Sequence, residues 1–371
     1  MSNSTIPPAD DELEVSIFGP GIGESVVVHV GNGDWVIVDS CMATGGRLPV
    51  GIQYLNDLGV DPAASVRLII ATHFHDDHIR GLCAVVEACP AARFVCSAAL
   101  GVQEFFQLLE ANNQLDVDEP GTGEFDRILQ LLDARSELHG RRVTPDYALD
   151  GTILYERTDA PLSSQLRALS PSSATITAAH LRVGRLVPSI GEPKKPTTDI
   201  GANELSLALW LRLGAASAVL GGDLEERGRA GEGWRAVVAS RVRPTTKATV
   251  FKVPHHGSPT ARHADVWTQM LEPNPVAVVT PYARGARKLP ARSDLDWLCK
   301  KTPKVHVTSL GLGRVPRARP SAVEREVKRT ARDRRTIGTD MGQVRVRIQS
   351  SSGVAVTEMF GAAYAACLSN A

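Results

Sequence analysis

The sequence predicts an α/β protein that folds as a single domain over residues 1–371. Three observations lead to this prediction. Residues 13–72 alternate apolar runs with glycine-rich turns, which is typical of strands and hairpins. The run 66–71 is short and largely apolar, which indicates a buried strand, and residues 79–89 behind it have a helical pattern. The hydrophobic content of 43% and the charged content of 22% are those of an ordinary globular protein.

Further helices are expected in chain order after these strands. One is predicted at 47–58 and ends near Gly59, and helical spacing recurs at 102–109 and 125–132. We interpret the region 98–165 as a helical insertion within the domain. Its role is either packing or a cap that shapes access to a functional cleft.

The second half of the chain contains two stretches of biased composition. Residues 184–202 are rich in Pro, Gly, Lys and Thr, which indicates a loop. Residues 314–371 combine a basic segment with a C-terminal strand and tail. The small-residue stretch 360–371 is expected to form a short helix or a frayed tail.

Residues 73–78 concentrate side chains that bind metals. Three imidazoles, from His73, His75 and His78, stand with the carboxylate of Asp77 on the loop that follows the strand at 66–71. Imidazole and carboxylate are the ligands that zinc and similar divalent ions prefer. Crowding these groups without a metal would leave several of them poorly satisfied. The segment therefore predicts a metal centre.

Three further motifs follow the order seen in one enzyme superfamily. They are Trp35-Val36-Ile37-Val38-Asp39, Gly221-Gly222-Asp223 and His255-His256-Gly257-Ser258. Together with His73-x-His75-x-Asp77-His78, they resemble the metallo-β-lactamase superfamily. This combination is specific, whereas either of the last two motifs alone would be a weak signal.

The resemblance covers residues 13–355 and is greatest to the ComEC-like branch of that superfamily. This branch comprises the metallo-domain of the DNA-uptake protein ComEC and its stand-alone soluble relatives. The segments that resemble it are 169–171, 203–207, 255–258 and the closing strand at 340–346.

The resemblance implies an αββα sandwich, in which two mixed sheets face each other between outer helices and the metal site lies at one edge. It also implies a dinuclear centre. His73 and His75 would bind the first ion, Asp77 and His78 the second, and Asp223 would bridge both. Such a pair of ions activates a hydroxide, which Asp77 would also hold in line as a catalytic residue.

Two adjacent histidines have alternative roles in this pattern. One of His255 and His256 would complete the ligands of the second ion, and the other would donate to the oxyanion or leaving group. The sequence leaves that choice open. Asp39 is expected to orient the metal loop through hydrogen bonds. Asn203 and Ser206 are candidates for contacts with the substrate or with the ligands.

The first ion lacks one ligand of the wider superfamily pattern. That pattern places a third histidine between the metal loop and the bridging aspartate, where this chain has only His139 and His180. Neither has the expected setting, and His180 is the nearer candidate. Because a poorer ligand set favours weakly held ions, we expect two divalent ions of zinc or manganese, with magnesium as a further option.

Composition bears on partners and compartment. The formal net charge of zero gives no global attraction to nucleic acid or membrane. Neither a signal peptide nor a membrane-spanning run is visible, so a cytoplasmic protein with no membrane partner is expected. The six cysteines lack CxxC spacing and are expected to be reduced. The basic stretch 314–335 is either a solvated face or a track for nucleic acid, and a protein partner and the oligomeric state stay open.

The leading functional hypothesis is a phosphodiesterase or nuclease that hydrolyses DNA or RNA. One alternative is a small-molecule hydrolase acting on a lactone, thioester, β-lactam or phosphoester. Another is a partner-dependent module of a bacterial defence system. The expected fold and metal ions are consistent with hydrolysis, but they do not determine the substrate.

Overall fold

Two eight-stranded mixed sheets stack face to face in the computed structural model, with helices on their outer sides. The structure describes residues 5–19, 23–43, 45–101, 120–140, 142–158, 162–186, 201–284, 287–309, 326, 329 and 341–367. The first sheet consists of β1 Glu12–Gly19, β2 Ser25–His29, β3 Trp35–Val38, β4 Val66–Ile70, β5 Arg93–Ser97, β6 Asp146–Ala148, β16 Gly342–Gln349 and β17 Ala355–Gly361. Its order is β17-β16-β1-β2-β3-β4-β5-β6.

The second sheet lies on the other side of the core. It consists of β7 Ile153–Arg157, β8 Ser164–Ala168, β9 Leu209–Leu213, β10 Ala216–Leu220, β11 Ala248–Lys252, β12 Leu271–Val279, β15 Val305–Val307 and β18 Tyr364–Ala365. Its order is β18-β15-β12-β11-β10-β9-β8-β7. A separate hairpin pairs β13 Tyr282–Arg284 with β14 Arg287–Leu289.

Eight α-helices are found in the described part of the chain. They are α1 Val50–Asp57, α2 Pro62–Ser65, α3 Asp76–Ile79, α4 Leu82–Ala88, α5 Pro120–His139, α6 Ser173–Leu186, α7 Gly233–Ala239 and α8 Arg292–Cys299. The helix predicted at 47–58 is confirmed as α1, which ends just before the left-handed Gly59. Across the described ranges, no helix has the length and apolar character needed to cross a membrane.

The main core lies between the two sheets. Strands present alternate side chains to it, so β1 contributes Leu13, Val15 and Ile17, which are fully buried. Leu209 and Val250 from the second sheet meet them from the opposite side. Two further apolar clusters fill the spaces between each sheet and its outer helices. The predicted α/β class, with two mixed sheets flanked by helices, is confirmed.

Parallel strand pairs in both sheets place their carboxyl ends at one edge of the sandwich. In the first sheet β3 pairs in parallel with β4, and in the second sheet β10, β11 and β12 are parallel neighbours. Loops that leave the carboxyl ends of parallel strands are the usual position of sites in α/β folds. Asp39, the run 73–78, Asp223 and His255–His256 all follow strands of these parallel pairs.

The region 98–165 contains one described helix and three strands. Residues 102–119, which include the first predicted helix, lie outside the described residues. Helix α5 carries the second, and buries Phe125, Ile128 and Leu132 against the core cluster that includes α4. This region also contributes to the sandwich, because β6 is an edge strand of the first sheet and β7 and β8 belong to the second sheet. The single-domain organisation and the cap role stay predictions.

The C-terminus differs from the sequence prediction. Residues 360–367 form neither a helix nor a frayed tail, because β17 runs to Gly361 and β18 pairs with β15 in the second sheet. A disulfide between Cys299 and Cys367 joins this strand to α8, so the expectation that all cysteines are reduced is wrong for this pair. The other four cysteines are free thiols. The basic stretch 314–335 and most of the loop 184–202 lie outside the described residues.

Candidate metal centre

Loops at the carboxyl ends of β3, β4, β10 and β11 bring the predicted site residues to one edge of the sandwich. Asp39 directly follows β3, and the run from His73 to His78 continues from the loop after β4 into α3. Asp223 lies three positions beyond β10, and a 3₁₀ turn at His255–Gly257 follows β11. The site therefore takes ligand-type side chains from both sheets.

The imidazoles of His78 and His256 each face the carboxylates of both Asp77 and Asp223. The Nε2 atom of His256 lies 3.1 Å from Oδ2 of Asp77 and 3.4 Å from Oδ2 of Asp223. The Nε2 atom of His78 lies 3.3 Å from Oδ1 of Asp223 and 3.7 Å from Oδ2 of Asp77. Ligand atoms around a tetrahedral zinc ion, with bonds of about 2.0–2.1 Å, lie about 3.3 Å apart. The spacing is thus that of groups able to share one cation.

His73 and His75 form a second pair beside these four. The Nε2 atom of His73 lies 3.1 Å from Nδ1 of His75, again the separation expected for two ligands of one ion. The rings of His73 and His78 are adjacent, with centroids 4.2 Å apart. His73 is fully buried, whereas His75 is exposed and marks the open side of the centre. Two neighbouring ligand sets result.

Asp39 lies behind the metal loop and holds it by three hydrogen bonds. Its carboxylate accepts from the backbone N–H and the hydroxyl of Thr72, each at 2.7 Å, and from Nδ1 of His78 at 2.7 Å. The bond to Nδ1 leaves Nε2 of His78 facing the ligand cluster. This is the carboxylate–histidine arrangement that orients histidine ligands in metalloproteins.

The structure separates the roles of the two adjacent histidines. His256 faces Asp77 and Asp223, and its Nδ1 donates to the backbone oxygen of Thr280 at 2.9 Å. His255 points elsewhere: its Nδ1 lies 3.0 Å from Oε1 of Glu225, and its Nε2 lies 3.1 Å from Nδ2 of Asn203. Only His256 is therefore placed to join the ligand cluster.

Backbone strain accompanies these positions. Asp39, His255 and His256 have φ values of +58°, +47° and +54°, in the left-handed region that residues other than glycine rarely adopt. Each such residue costs about 1–3 kcal/mol and is found mainly where function requires it. The strain turns successive side chains, His255 and His256, toward different partners.

The remaining predicted residues do not face the ligand cluster directly. Ser206 is buried and accepts a hydrogen bond from the backbone N–H of Asp223 at 2.9 Å, which helps to fix that residue. Asn203 contacts His255 and not the cluster. His180 lies on α6, and within the described ranges no hydrogen bond or ion pair joins it to the other predicted ligands. The structure does not bring it into the centre.

Sequence reasoning missed three residues behind the ligands. Glu24 and Lys252 form a buried ion pair of 2.5 Å between Oε1 and Nζ, and the hydroxyl of Thr280 donates to Oε2 of Glu24. All three are at most 1% exposed. A signal was present in the sequence, since Lys252 ends a largely apolar strand and Glu24 precedes the run Ser25–His29, which contains three valines.

Charges in the cluster shift one another's pKa values. Burial alone would lower the pKa of His256, but the carboxylates of Asp223 and Asp77 raise it to about 10. The same competition raises the pKa of His78 well above its usual value, with Asp223 and Glu24 as the main carboxylates. Conversely, burial would raise the pKa of Asp223, and the facing imidazoles of His78 and His256 hold it well below the usual range. The ligand groups are thus strongly coupled.

The residues present fit a divalent cation. Nε2 of His78 and Oδ1 of Asp223 are buried, and neither has a hydrogen-bond partner within the described ranges although they face each other. Buried polar atoms are normally paired, so two facing orphans indicate a missing group between them. A donor set of imidazole nitrogens and carboxylate oxygens suits zinc and manganese.

The two-sheet fold agrees with a comparison of the chain against known protein families. Residues 18–151 match the model of the metallo-beta-lactamase superfamily, and the matched segment includes Asp39 and the run from His73 to His78. The match covers 134 of the 371 residues. No curated protein is similar to the chain.

Several known structures resemble the chain. A HARLDQ-motif mutant of a metallo-beta-lactamase from Cronobacter sakazakii is 15% identical over 64% of this chain and 75% of its own, with a TM-score of 0.36. The metallo-beta-lactamase MIM-1 from Novosphingobium pentaromativorans is 14% identical over 64% of this chain and 76% of its own, with a TM-score of 0.31. The Rm3 metallo-beta-lactamase is 15% identical over 71% of this chain and 84% of its own, with a TM-score of 0.31.

Proposed function

We propose that this protein is a metal-dependent hydrolase of the ComEC-like type, that its centre holds two divalent ions, and that it cleaves phosphodiester bonds in DNA or RNA. One observation carries the metal-dependent part. Ligand atoms of Asp77, His78, Asp223 and His256 converge from loops of both sheets, and the buried facing atoms of His78 and Asp223 have no hydrogen-bond partner in the described part of the chain.

Each ion would be held by a distinct group of side chains. Asp77, His78 and His256 would hold one, and His73 with His75 the other, with Asp223 contributing to both. When bound, two such ions lower the pKa of a water and stabilise charge on the attacking and leaving oxygens of a phosphoryl group. The open side at His75 and the partly exposed Asp77 would admit the substrate.

His255 would supply the proton for the leaving oxygen. Its Nδ1 contacts the carboxylate of Glu225, and its Nε2 faces Asn203. The centroids of the His255 and His256 rings are 6.2 Å apart, which places His255 at the edge of the ligand cluster. Burial would raise the pKa of the Glu225 carboxyl, but its bond to His255 lowers it, so Glu225 is held as a carboxylate that orients the ring. A histidine held by a carboxylate in this way is the usual general acid or base of enzymes.

The phosphodiester substrate rests on the resemblance in the sequence and on the suitability of paired divalent ions for phosphoryl transfer. The test is cleavage of end-labelled single-stranded DNA, duplex DNA and RNA with added Mn²⁺ or Zn²⁺. Wild type, Asp223→Ala and the surface control Asp133→Ala are compared. Cleavage that needs metal and Asp223 supports the proposal, and the product ladder separates exonuclease from endonuclease.

Other outcomes would redirect the substrate assignment. The same proteins are assayed with a lactone, a thioester, a chromogenic β-lactam and bis(p-nitrophenyl) phosphate. Turnover of a small ester that requires Asp223, without cleavage of nucleic acid, would overturn the nuclease part and retain the hydrolase. Inactivity of metal-loaded protein on every substrate would contradict the proposal for the isolated chain and point to a partner-dependent module.

A further inference from the structure

We infer that the buried Glu24–Lys252 ion pair is a positioning device that sets the spacing between the metal ligands of the first sheet and those of the second. The inference rests on the metal centre proposed above. Glu24 lies within 4.8 Å of ligand-type atoms of His78, Asp223 and His256, but it faces the Nδ1 side of both rings, away from the Nε2 atoms that meet Asp77 and Asp223. The inference predicts which of the two ions depends on the pair.

Glu24 connects the pair to the ligands of both sheets. Its backbone N–H donates to the backbone oxygen of Asp77 at 2.8 Å, so the residue is fixed to the metal loop. Its Oε1 atom lies 3.7 Å from Nδ1 of His78, on the side of that ring opposite the ligand cluster. Its Oε2 atom accepts from the hydroxyl of Thr280, whose backbone oxygen accepts from Nδ1 of His256. Glu24 therefore contacts the rear of both histidines, directly or through Thr280.

Lys252 connects the same carboxylate to Asp223. Its Nζ atom donates to the backbone oxygen of Gly222 at 2.9 Å and lies 3.9 Å from Oδ1 of Asp223. Lys252 is the last residue of β11 and Glu24 precedes β2, so the 2.5 Å ion pair joins the two sheets directly behind the centre. An ammonium group cannot coordinate a cation, and so Lys252 cannot itself be a ligand.

The charges around the centre give the pair a second effect. The ammonium group of Lys252 faces two buried carboxylates, those of Glu24 at 2.5 Å and Asp223 at 3.9 Å. Without the ammonium, the carboxylate of Glu24 would keep its hydrogen bond from Thr280 but lose its buried cationic partner, and it would repel Asp223. We therefore expect loss of either partner to move Asp223 and His256 away from Asp77 and His78.

The affected ion is the one that Asp77, His78, Asp223 and His256 would hold. His73 and His75 make no ion pair or hydrogen bond with Glu24 or Lys252 in the described chain. Their ion would share only Asp223 with the displaced ligands, so it should be retained. Loss of residues that orient ligands typically weakens metal binding about 10–100-fold. We expect that loss for the ion of His78 and His256, and a smaller loss for the ion that shares only Asp223 with it.

The test measures metal binding, not hydrolysis. Lys252→Met, Glu24→Gln, the double variant and the exposed control Lys304→Met are freed of metal, then titrated with Mn²⁺ or Co²⁺. Ion content is counted by elemental analysis, and the visible absorption of bound Co²⁺ reports its coordination. Thermal melting of the metal-free proteins reports the fold.

The double variant separates positioning from simple charge compensation, because it leaves no lone buried charge and should fold. One ion retained and the second bound about 10–100-fold more weakly in the double variant, with a changed Co²⁺ spectrum, supports the inference. Two ions bound with wild-type affinity in the double variant would overturn it. If wild type itself binds no ion, the metal centre proposed above fails instead.

Discussion

The Oδ2 atom of Asp77 lies 3.1 Å from the Nε2 atom of His256, although 179 positions separate the two residues in the chain. Asp77 reaches this point from α3 and His256 from the 3₁₀ turn after β11. The contact closes the edge of the sandwich, since it joins the loops of one sheet to those of the other. Its two atoms carry opposite formal charge only while His256 is protonated, and a bound cation would take the place of that proton.

Replacement of His256 should remove one ion and leave the other. We expect His256→Gln to lower the metal content from two ions to one, because Nε2 of His256 is among the four ligand groups and makes no contact with His73 or His75 within the described ranges. The loss of affinity should exceed the roughly 100-fold seen for residues that only orient ligands. Elemental analysis of the dialysed protein gives the ratio. His263→Gln, away from the cluster, is the control, and an unchanged ratio in His256→Gln would contradict the assignment.

Replacement of the adjacent histidine should have a different signature. His255→Gln should keep both ions and reduce kcat about 10²–10⁴-fold, the usual contribution of a general acid or base. Glu225→Gln should produce a smaller decrease, since it only holds Nδ1 of His255. Steady-state kinetics and metal content are measured on the same samples. Loss of an ion from His255→Gln would mean that this residue is a ligand after all.

Metal binding should release protons and strengthen as pH rises. Asp223 and Asp77 raise the pKa of His256 to about 10, and Asp223 and Glu24 also raise the pKa of His78, so the carboxylates favour the protonated form of both rings in the metal-free protein. Only the neutral ring can ligate, and protons therefore compete with the ion at every pH below the raised pKa. Affinity should increase from pH 6 to pH 8.5. Calorimetry in two buffers of different ionisation enthalpy measures the release, which should shrink in His256→Gln; a heat independent of buffer would count against the prediction.

The sequence predicted the parts of the centre that are local in the chain. The run from His73 to His78 carries several ligand-type side chains within six positions, and Asp39 and Asp223 each follow a recognisable apolar strand. The choice between His255 and His256 could not be made, because it depends on left-handed backbone at both residues and on Glu225 and Thr280 as partners.

Other features depend on contacts between distant segments. Glu24 and Lys252 are 228 positions apart, and an isolated Glu or Lys in a sequence normally indicates a solvated residue. The pairing of β18 with β15 was likewise hidden, because a two-residue strand has no periodicity to detect. Cysteine spacing gave no hint of the bond between Cys299 and Cys367, which are separated by 68 positions.

The disulfide should stabilise the C-terminal strand. It closes a loop of 68 positions, and a native disulfide typically contributes about 2–4 kcal/mol by restricting the unfolded chain. We expect a reducing agent to lower the Tm of wild type and to leave that of Cys299→Ser unchanged. Cys83→Ser, which removes a free thiol, should melt like wild type. Equal melting of wild type with and without reductant would contradict a disulfide in the protein in solution.

Gly222 should be the least replaceable glycine at the centre. Its φ is +52°, and a Cβ there would lie 2.5 Å from Oγ of Ser206 and 2.6 Å from the backbone oxygen of Leu207. Gly33 has a similar φ of +72°, but a Cβ there would meet nothing within 4 Å in the described structure, which makes Gly33→Ala a matched control for the backbone term.

The left-handed backbone alone should cost Gly33→Ala about 1–2 kcal/mol of unfolding free energy. Gly222→Ala carries the same term and a steric clash, so it should lose about 3 kcal/mol or more, as overpacking of a tight site adds about 1–3 kcal/mol. Because Ser206 also accepts from the N–H of Asp223, the clash should displace that carboxylate and weaken metal binding. Chemical denaturation and metal titration of both variants provide the comparison. Equal losses of stability, with metal affinity unchanged in Gly222→Ala, would show that the loop relaxes and that Ser206 does not fix Asp223.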